Sequence, residues 1–172
     1  MDRIVFPLRL ASAALLLAAP SQLFAATPPA QAHGDAIVLK PLSLIKKTNM
    51  DFGTLIESAS AGTATIDPTS GAVTTTGGVT AVPSVTSAAQ FLGAGSRNSP
   101  YQIRLPNAAI TLTRAGGTET MTVSNWTLDG PTNRKVGANE AFQFGVGARV
   151  SVAANQAPGT YVGTFTVTVH YP

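Results

Sequence analysis

Past residue 35, apolar and polar side chains alternate in short runs with a period of two, divided by glycine, proline and asparagine. Successive side chains of a β-strand point to opposite faces, so such runs predict half-buried strands. The clearest covers 142–152. Phe142, Phe144, Val146, Ala148, Val150 and Val152 fall on one side, and Gln143, Gly145, Gly147, Arg149 and Ser151 on the other. A second covers 161–171, where Tyr161, Phe165, Val167, Val169 and Tyr171 share one side and Thr164, Thr166, Thr168 and His170 the other. The eight-residue loop AANQAPGT between them predicts that these two runs pair as an antiparallel hairpin.

Further forward, Tyr101, Ile103 and Leu105 alternate with Gln102 and Arg104 as far as Pro106, and Ile110 and Leu112 with Thr111 and Thr113. Ala115-Gly116-Gly117 is a turn signal. Met121 and Val123 then alternate with Thr122 and Ser124, but from Asn125 onward the apolar positions are Trp126 and Leu128. One extra residue in a strand, a β-bulge, produces such a change of parity. GTATI, AVTTT, GGVTAV and SVTSAAQFL, between 61 and 92, are weaker strand candidates, with a turn at DPTSG (67–71).

A second change of parity stands at Pro41, between Ile37 and Leu39 on odd positions and Leu42 and Leu44 on even ones. Proline cannot donate to a ladder. A strand that reverses its faces there is expected to begin in one sheet of a sandwich and finish in the other. Asp51 to Leu55 reads as the next strand. Strands with one apolar face need a second layer to cover them. The predicted class is all-β, an immunoglobulin-like antiparallel β-sandwich of about nine or ten short strands, with a jelly roll as the alternative.

Residues 1–26 follow a different pattern. Arg3 and Arg9 accompany the apolar run Leu10–Ala19, which is too short to span a bilayer, and small residues follow it. This is the pattern of a secretory signal, with cleavage expected after Ala25, Ala26 or Ala32. Residues 27–35 (TPPAQAHGD) are expected to be a disordered leader, and 36–172 a single domain. The expected location is the periplasm, cell surface or extracellular space, with no membrane span after signal removal. There is no cysteine, so packing and sheet hydrogen bonds hold an exported fold together. Charged residues make up 11% of the chain, against about 25% in typical soluble domains. The net charge of +3 falls only to +2 without Arg3, Arg9 and Asp2. Lys40, Lys46 and Lys47 form the sole basic cluster, which excludes a nucleic-acid footprint as the expectation.

Little in the chain resembles chemistry. The two histidines are His33, in the leader, and His170, on a polar strand face. No histidine, aspartate or glutamate set has metal-ligand spacing, and no cofactor is expected. The Asp51-Phe52-Gly53 string lacks every other element of a kinase and reads as a strand start. Asn125-Trp126-Thr127 has the form of a glycosylation sequon. Trp126 is expected in the core, with a sugar-stacking platform as the alternative. The acids are scattered. The chain is therefore expected not to be an enzyme.

The segments IVLKPLSLIKKTNMDFGTL (37–55), TTTGGVT (74–80), YQIRLP (101–106) and GVGARVSVAANQAPGTYVGTFTVTVHY (145–171) resemble a family of exported proteobacterial proteins catalogued as a domain of unknown function. The closing G-x-Y-x-G-T-x-x-V-T-V-x-Y pattern also resembles spore-coat-U-like and archaic chaperone–usher pilin subunits. That second resemblance implies a subunit lacking one strand of its own sandwich. A periplasmic chaperone, and then an extension of another copy, would supply the strand. It makes Ile37, Leu39, Leu42 and Leu44 a candidate strand-exchange segment, and Tyr161, Phe165, Val167, Val169 and Tyr171 the strand lining the groove. The parity change at Pro41 supports the other arrangement, in which 36–45 is the first strand of a self-complete domain. The expected role is a structural or adhesive protein of the cell envelope or surface, such as a fimbrial-type subunit. A carbohydrate-binding module with exposed aromatics around Trp126, Tyr101 or Tyr161 is the alternative. An envelope hydrolase, with acids clustered in a cleft, is the third.

Overall fold

The computed structural model describes residues 33–172; the expected signal and the leader up to residue 32 lie outside the described residues. The described chain holds thirteen strands and no helix, and every strand pairing is antiparallel. The large sheet runs β1 (Ser43–Thr48), β6 (Ala89–Ala94), β11 (Ala141–Val152), β9 (Thr120–Leu128), β8 (Ile110–Arg114) and β12 (Tyr161–Val162). β3 (Gly62–Ile66) also pairs with β11, and β4 (Val73–Gly77) with β3. Against this sheet lie two smaller ones. β10 (Asn133–Lys135), β7 (Pro100–Arg104) and β13 (Thr168–His170) form the first, and β2 (Thr54–Ile56) and β5 (Thr80–Val82) the second. The fold is an all-β antiparallel sandwich, as the alternation predicts. It has more strands than expected because several are only two or three residues long.

β11 is the spine. Its six even-numbered side chains from Phe142 to Val152 are all buried. The Phe142 ring stacks on Tyr101 of β7 at 4.2 Å, which joins the two layers, and within the large sheet Phe144 stacks on its register partner Phe91 of β6 at 5.2 Å. Ala89, Ile103, Val136, Val146 and Val167 complete this cluster. A second cluster, Ala64, Val123, Ala148 and Val150, packs against Phe52 and Leu55. On the other face of β11, a Cβ at Gly147 would run into the backbone carbonyl of Ile66, and one at Gly145 into that of Pro68. The bare glycines let the turn after β3 cross this face.

The bulge at Asn125 is present. Ser124 pairs with Arg149 and Thr127 with Gly147, so Asn125 and Trp126 together oppose Ala148 alone. Asn125 takes a φ of 51°. The DPTSG turn is closed by Asp67, whose Oδ1 accepts from the N–H groups of Thr69 and Ser70.

Two expectations about partners are corrected. The 161–171 run does not pair with 142–152. β6 and β3 occupy one edge of β11, and β9 takes the other from Val146 to Ser151. The last run divides instead: Tyr161 and Val162 pair with Arg114 and Thr113 of β8, and Thr168 to His170 with β7. It is therefore this run that crosses from one sheet to the other. The segment before Pro41 does not, because residues 33–42 join no strand. Lys40 is nevertheless pinned. Its N–H donates to Ser96 Oγ (2.6 Å), its carbonyl accepts from the Tyr171 hydroxyl (2.8 Å), and its ammonium pairs with Glu140 (2.6 Å).

Candidate functional site

Between its two paired ends, the last run passes over the large sheet without a paired strand. Among the described residues, Gly163, Thr164, Phe165, Thr166 and Val167 join no backbone hydrogen bond. Five successive residues of extended chain present about 17 Å of unused edge. An unpaired edge of this kind is a template for another strand.

Beside it lies a groove of about 930 Å³. One wall is Gly159–Val167, and the other is the stretch from Asn49 to Leu55 that leads into β2. The second layer is thus split, with the three-stranded sheet on one side of the opening and β2 with β5 on the other. The floor is the inner face of the large sheet: Ile110 and Leu112 of β8, Met121, Val123 and Trp126 of β9, Val150 of β11, Phe91 of β6 and Leu44 of β1. The alternation of these strands aims their apolar side chains inward. The bulge matters here because it returns Trp126 to the floor side.

The aromatic groups mark the path of the crossing segment. Phe165 lies against Trp126 at 4.7 Å and meets Phe91 edge-on at 6.4 Å. The Trp126 indole N–H donates to the Ala108 carbonyl. Tyr161, where the segment leaves β8, is fixed by its hydroxyl, which accepts from Gln156 and donates to the Ala157 carbonyl. Arg114 Nε holds the carbonyl of Pro158 from the same side.

The residues predicted from sequence divide. Tyr161, Phe165 and Val167 line the groove, while Val169 packs on the main core and Tyr171 grips Lys40. Leu42 and Leu44 pack on the domain's own core, and Leu44 also reaches the groove. Ile37 (88% exposed), Val38 (93%) and Leu39 (40%) stand outside it. Alternation marks the floor residues Phe91, Ile110, Leu112 and Met121 only as strand positions. No residue type distinguishes a floor from a covered core, so the sequence carried no signal for them. Tyr101 is buried under Phe142, which removes it from any aromatic shelf.

Among the described residues no cluster of three His, Cys, Asp or Glu side chains is placed to hold a metal ion, and no helix is long and apolar enough to cross a membrane. What the groove offers is apolar surface and an open hydrogen-bonding edge.

A family described as a domain of unknown function (DUF4402) matches residues 42–171. No curated protein and no solved structure matches the chain.

Proposed function

The chain belongs to the family described as a domain of unknown function (DUF4402), and from that premise we propose that it is an exported, non-enzymatic structural or adhesive subunit of the cell envelope whose sandwich is completed by an added β-strand. The observation that carries this reading is the unpaired stretch 163–167 beside an apolar groove. A strand laid there gains main-chain hydrogen bonds from the edge and places alternate side chains on the floor. The signal pattern of residues 1–26 supports export. The low charge and threonine-rich outer faces fit a subunit that packs closely against others.

A glycan module is the weaker reading. Its stacking platform would have to be Trp126, and Phe165 already lies against that ring.

Trp126 is the chain's single tryptophan and reports on the groove directly. A synthetic peptide of residues 33–42 is expected to shift its emission to the blue and raise the thermal midpoint, by about 2.7 kcal/mol of added stability at a hundredfold excess over Kd. Light scattering and electron microscopy of the purified protein should show species larger than one subunit. A monomer at all concentrations, with emission unmoved by the peptide, would remove the reading.

A further inference from the structure

On the outer face of the large sheet, away from the groove, threonine and serine stand in register across strands. Thr76 of β4, Thr63 of β3, Ser151 of β11, Thr122 of β9 and Thr111 of β8 are successive cross-strand partners. Their chain neighbours Ala64, Val123, Val150 and Val152 are buried, so this row points outward. Threonine is a good strand former, and outward threonines alone do not make a site. One end of this face is set apart by its shape. Between β3 and β9, where β11 stops at Val152, lies a depression of about 480 Å³. Thr63, Ser151, Thr122 and Thr120 line it. Ser151, the shortest side chain of the row, sits in the middle, with a threonine about 5 Å away on either strand beside it. The loop after β11 forms the rim. Gln156 of that loop accepts from the Ala153 N–H through Oε1 (3.3 Å). Its Nε2 donates to the Thr120 carbonyl (3.3 Å) and to the Tyr161 hydroxyl (2.8 Å). The amide is fixed from both ends, and the rim with it.

The chemistry of the lining selects a class of ligand. Thr63 Oγ1 shares a hydrogen bond with Thr76 Oγ1 (2.8 Å), but the Thr120, Thr122 and Ser151 hydroxyls have no partner among the described residues. Each hydroxyl offers one donor and two acceptor sites and rotates to suit. No charged side chain lines the depression. Arg149 stands two residues back along β11, and its Nε donates to Thr65 Oγ1 (3.2 Å). An ionic ligand would give up water here with no opposite charge to meet. An apolar one would cover the hydroxyls and leave them unpaired. An uncharged ligand that both donates and accepts matches the lining.

We propose that this depression binds a neutral sugar unit of a glycan, through hydrogen bonds between the sugar's hydroxyls and those of Thr63, Thr120, Thr122 and Ser151. The surface meets the hydroxyl-bearing edge of a sugar and needs no ring to stack on, unlike a platform at Trp126. It lies on the opposite side of the sheet from the groove. Binding is therefore independent of strand completion, and the site stays open when the groove is filled; only its use in adhesion rests on the reading above. A shallow site of this kind is weak alone. Copies displayed together raise one another's effective concentration, which suits an adhesive subunit.

Amide NMR titrations of the purified protein with maltotriose, mannotriose, galactotriose and chitotriose test the site. At least one of these neutral sugars should move the amides of 62–63, 120–122 and 151–153. Silence with all four overturns the proposal, and shifts at 163–167 in their place would put the sugar in the groove and overturn it too. The affinity should hold as sodium chloride rises from about 0.05 to about 0.5 M, because no charge takes part; a steep fall overturns neutral recognition. Thr122→Val and Thr120→Val replace a hydroxyl by a methyl of similar shape, and each should weaken binding about fivefold. Thr74→Val and Thr113→Val, on the same face but outside the depression, should leave it unchanged. Equal losses from the two pairs would mean a general stickiness of the face and no site. None of these outcomes bears on strand completion, which the 33–42 peptide and Trp126 decide.

Discussion

Asn125 takes a φ of 51°, in the left-handed region that β-branched residues avoid. It is the extra residue that lets Trp126 rejoin the floor of the groove. Asn125→Gly should therefore keep stability within about 0.5 kcal/mol, while Asn125→Val should lower it by about 1–2 kcal/mol, read by urea unfolding. An equal cost for both would mean that the asparagine side chain, not its backbone, holds the bulge. Gly147 is constrained differently. A methyl there meets the Ile66 carbonyl, so Gly147→Ala should destabilise by about 1–3 kcal/mol through forced separation of β3 from β11. Asp67 brings a pH dependence. The Ser70 N–H, the Ser70 hydroxyl and the Thr69 N–H hold its carboxyl below its ordinary value of 3.8. A carboxyl lowered on folding stabilises above its unfolded value, and that contribution is lost as pH falls through the folded value. The stability difference between wild type and Asp67→Asn should then be constant near neutrality and shrink on acidification below about pH 4; a difference that grows there would reverse the assignment.

At the scale of elements, the sequence was legible where the controlling information is local. Alternation gave β11 and its buried face, and a parity change gave the bulge, because each is a property of a single strand. Partner choice is not local. The short loop pairs the 161–171 run with its sequence neighbour, yet the strands beside β11 are drawn from residues 62–66, 89–94 and 120–128. β2, β5, β10 and β12 are too short to show a period. The groove itself was illegible, since an unused edge leaves no mark in composition; only the resemblance of the closing pattern pointed to it. Hydrogen exchange tests this element. Amides of 163–167 should exchange close to unprotected rates in the monomer while those of β11 are the slowest, and 163–167 should become protected when a strand is added. Protection in the monomer would mean that the edge is already paired.

At the scale of the whole molecule, the segment before Pro41 and β1 differ in what they contribute to stability. Ile37 and Val38 bury little and Leu39 is 40% exposed, so removing 33–39 should lower the unfolding free energy by no more than about 1–2 kcal/mol. Extending the deletion through β1 also removes Leu42 and Leu44 from the core and exposes β6 as an edge. Losing two half-buried leucines costs about 2–5 kcal/mol, and with the lost β1–β6 ladder this is a large share of a total of about 5–15. The short deletion is therefore the informative one. Such a chain keeps its groove, so it can accept a strand, but it has none to give. In a head-to-tail assembly it is a terminator. Mixed one to one with wild type, it should bind assembly ends and shorten the filaments seen by electron microscopy to a few subunits, while the deleted protein alone stays monomeric by light scattering. Filaments of undiminished length in the mixture, with the deleted chain excluded from them, would mean that residues 33–39 are needed to receive a neighbour as well as to reach one.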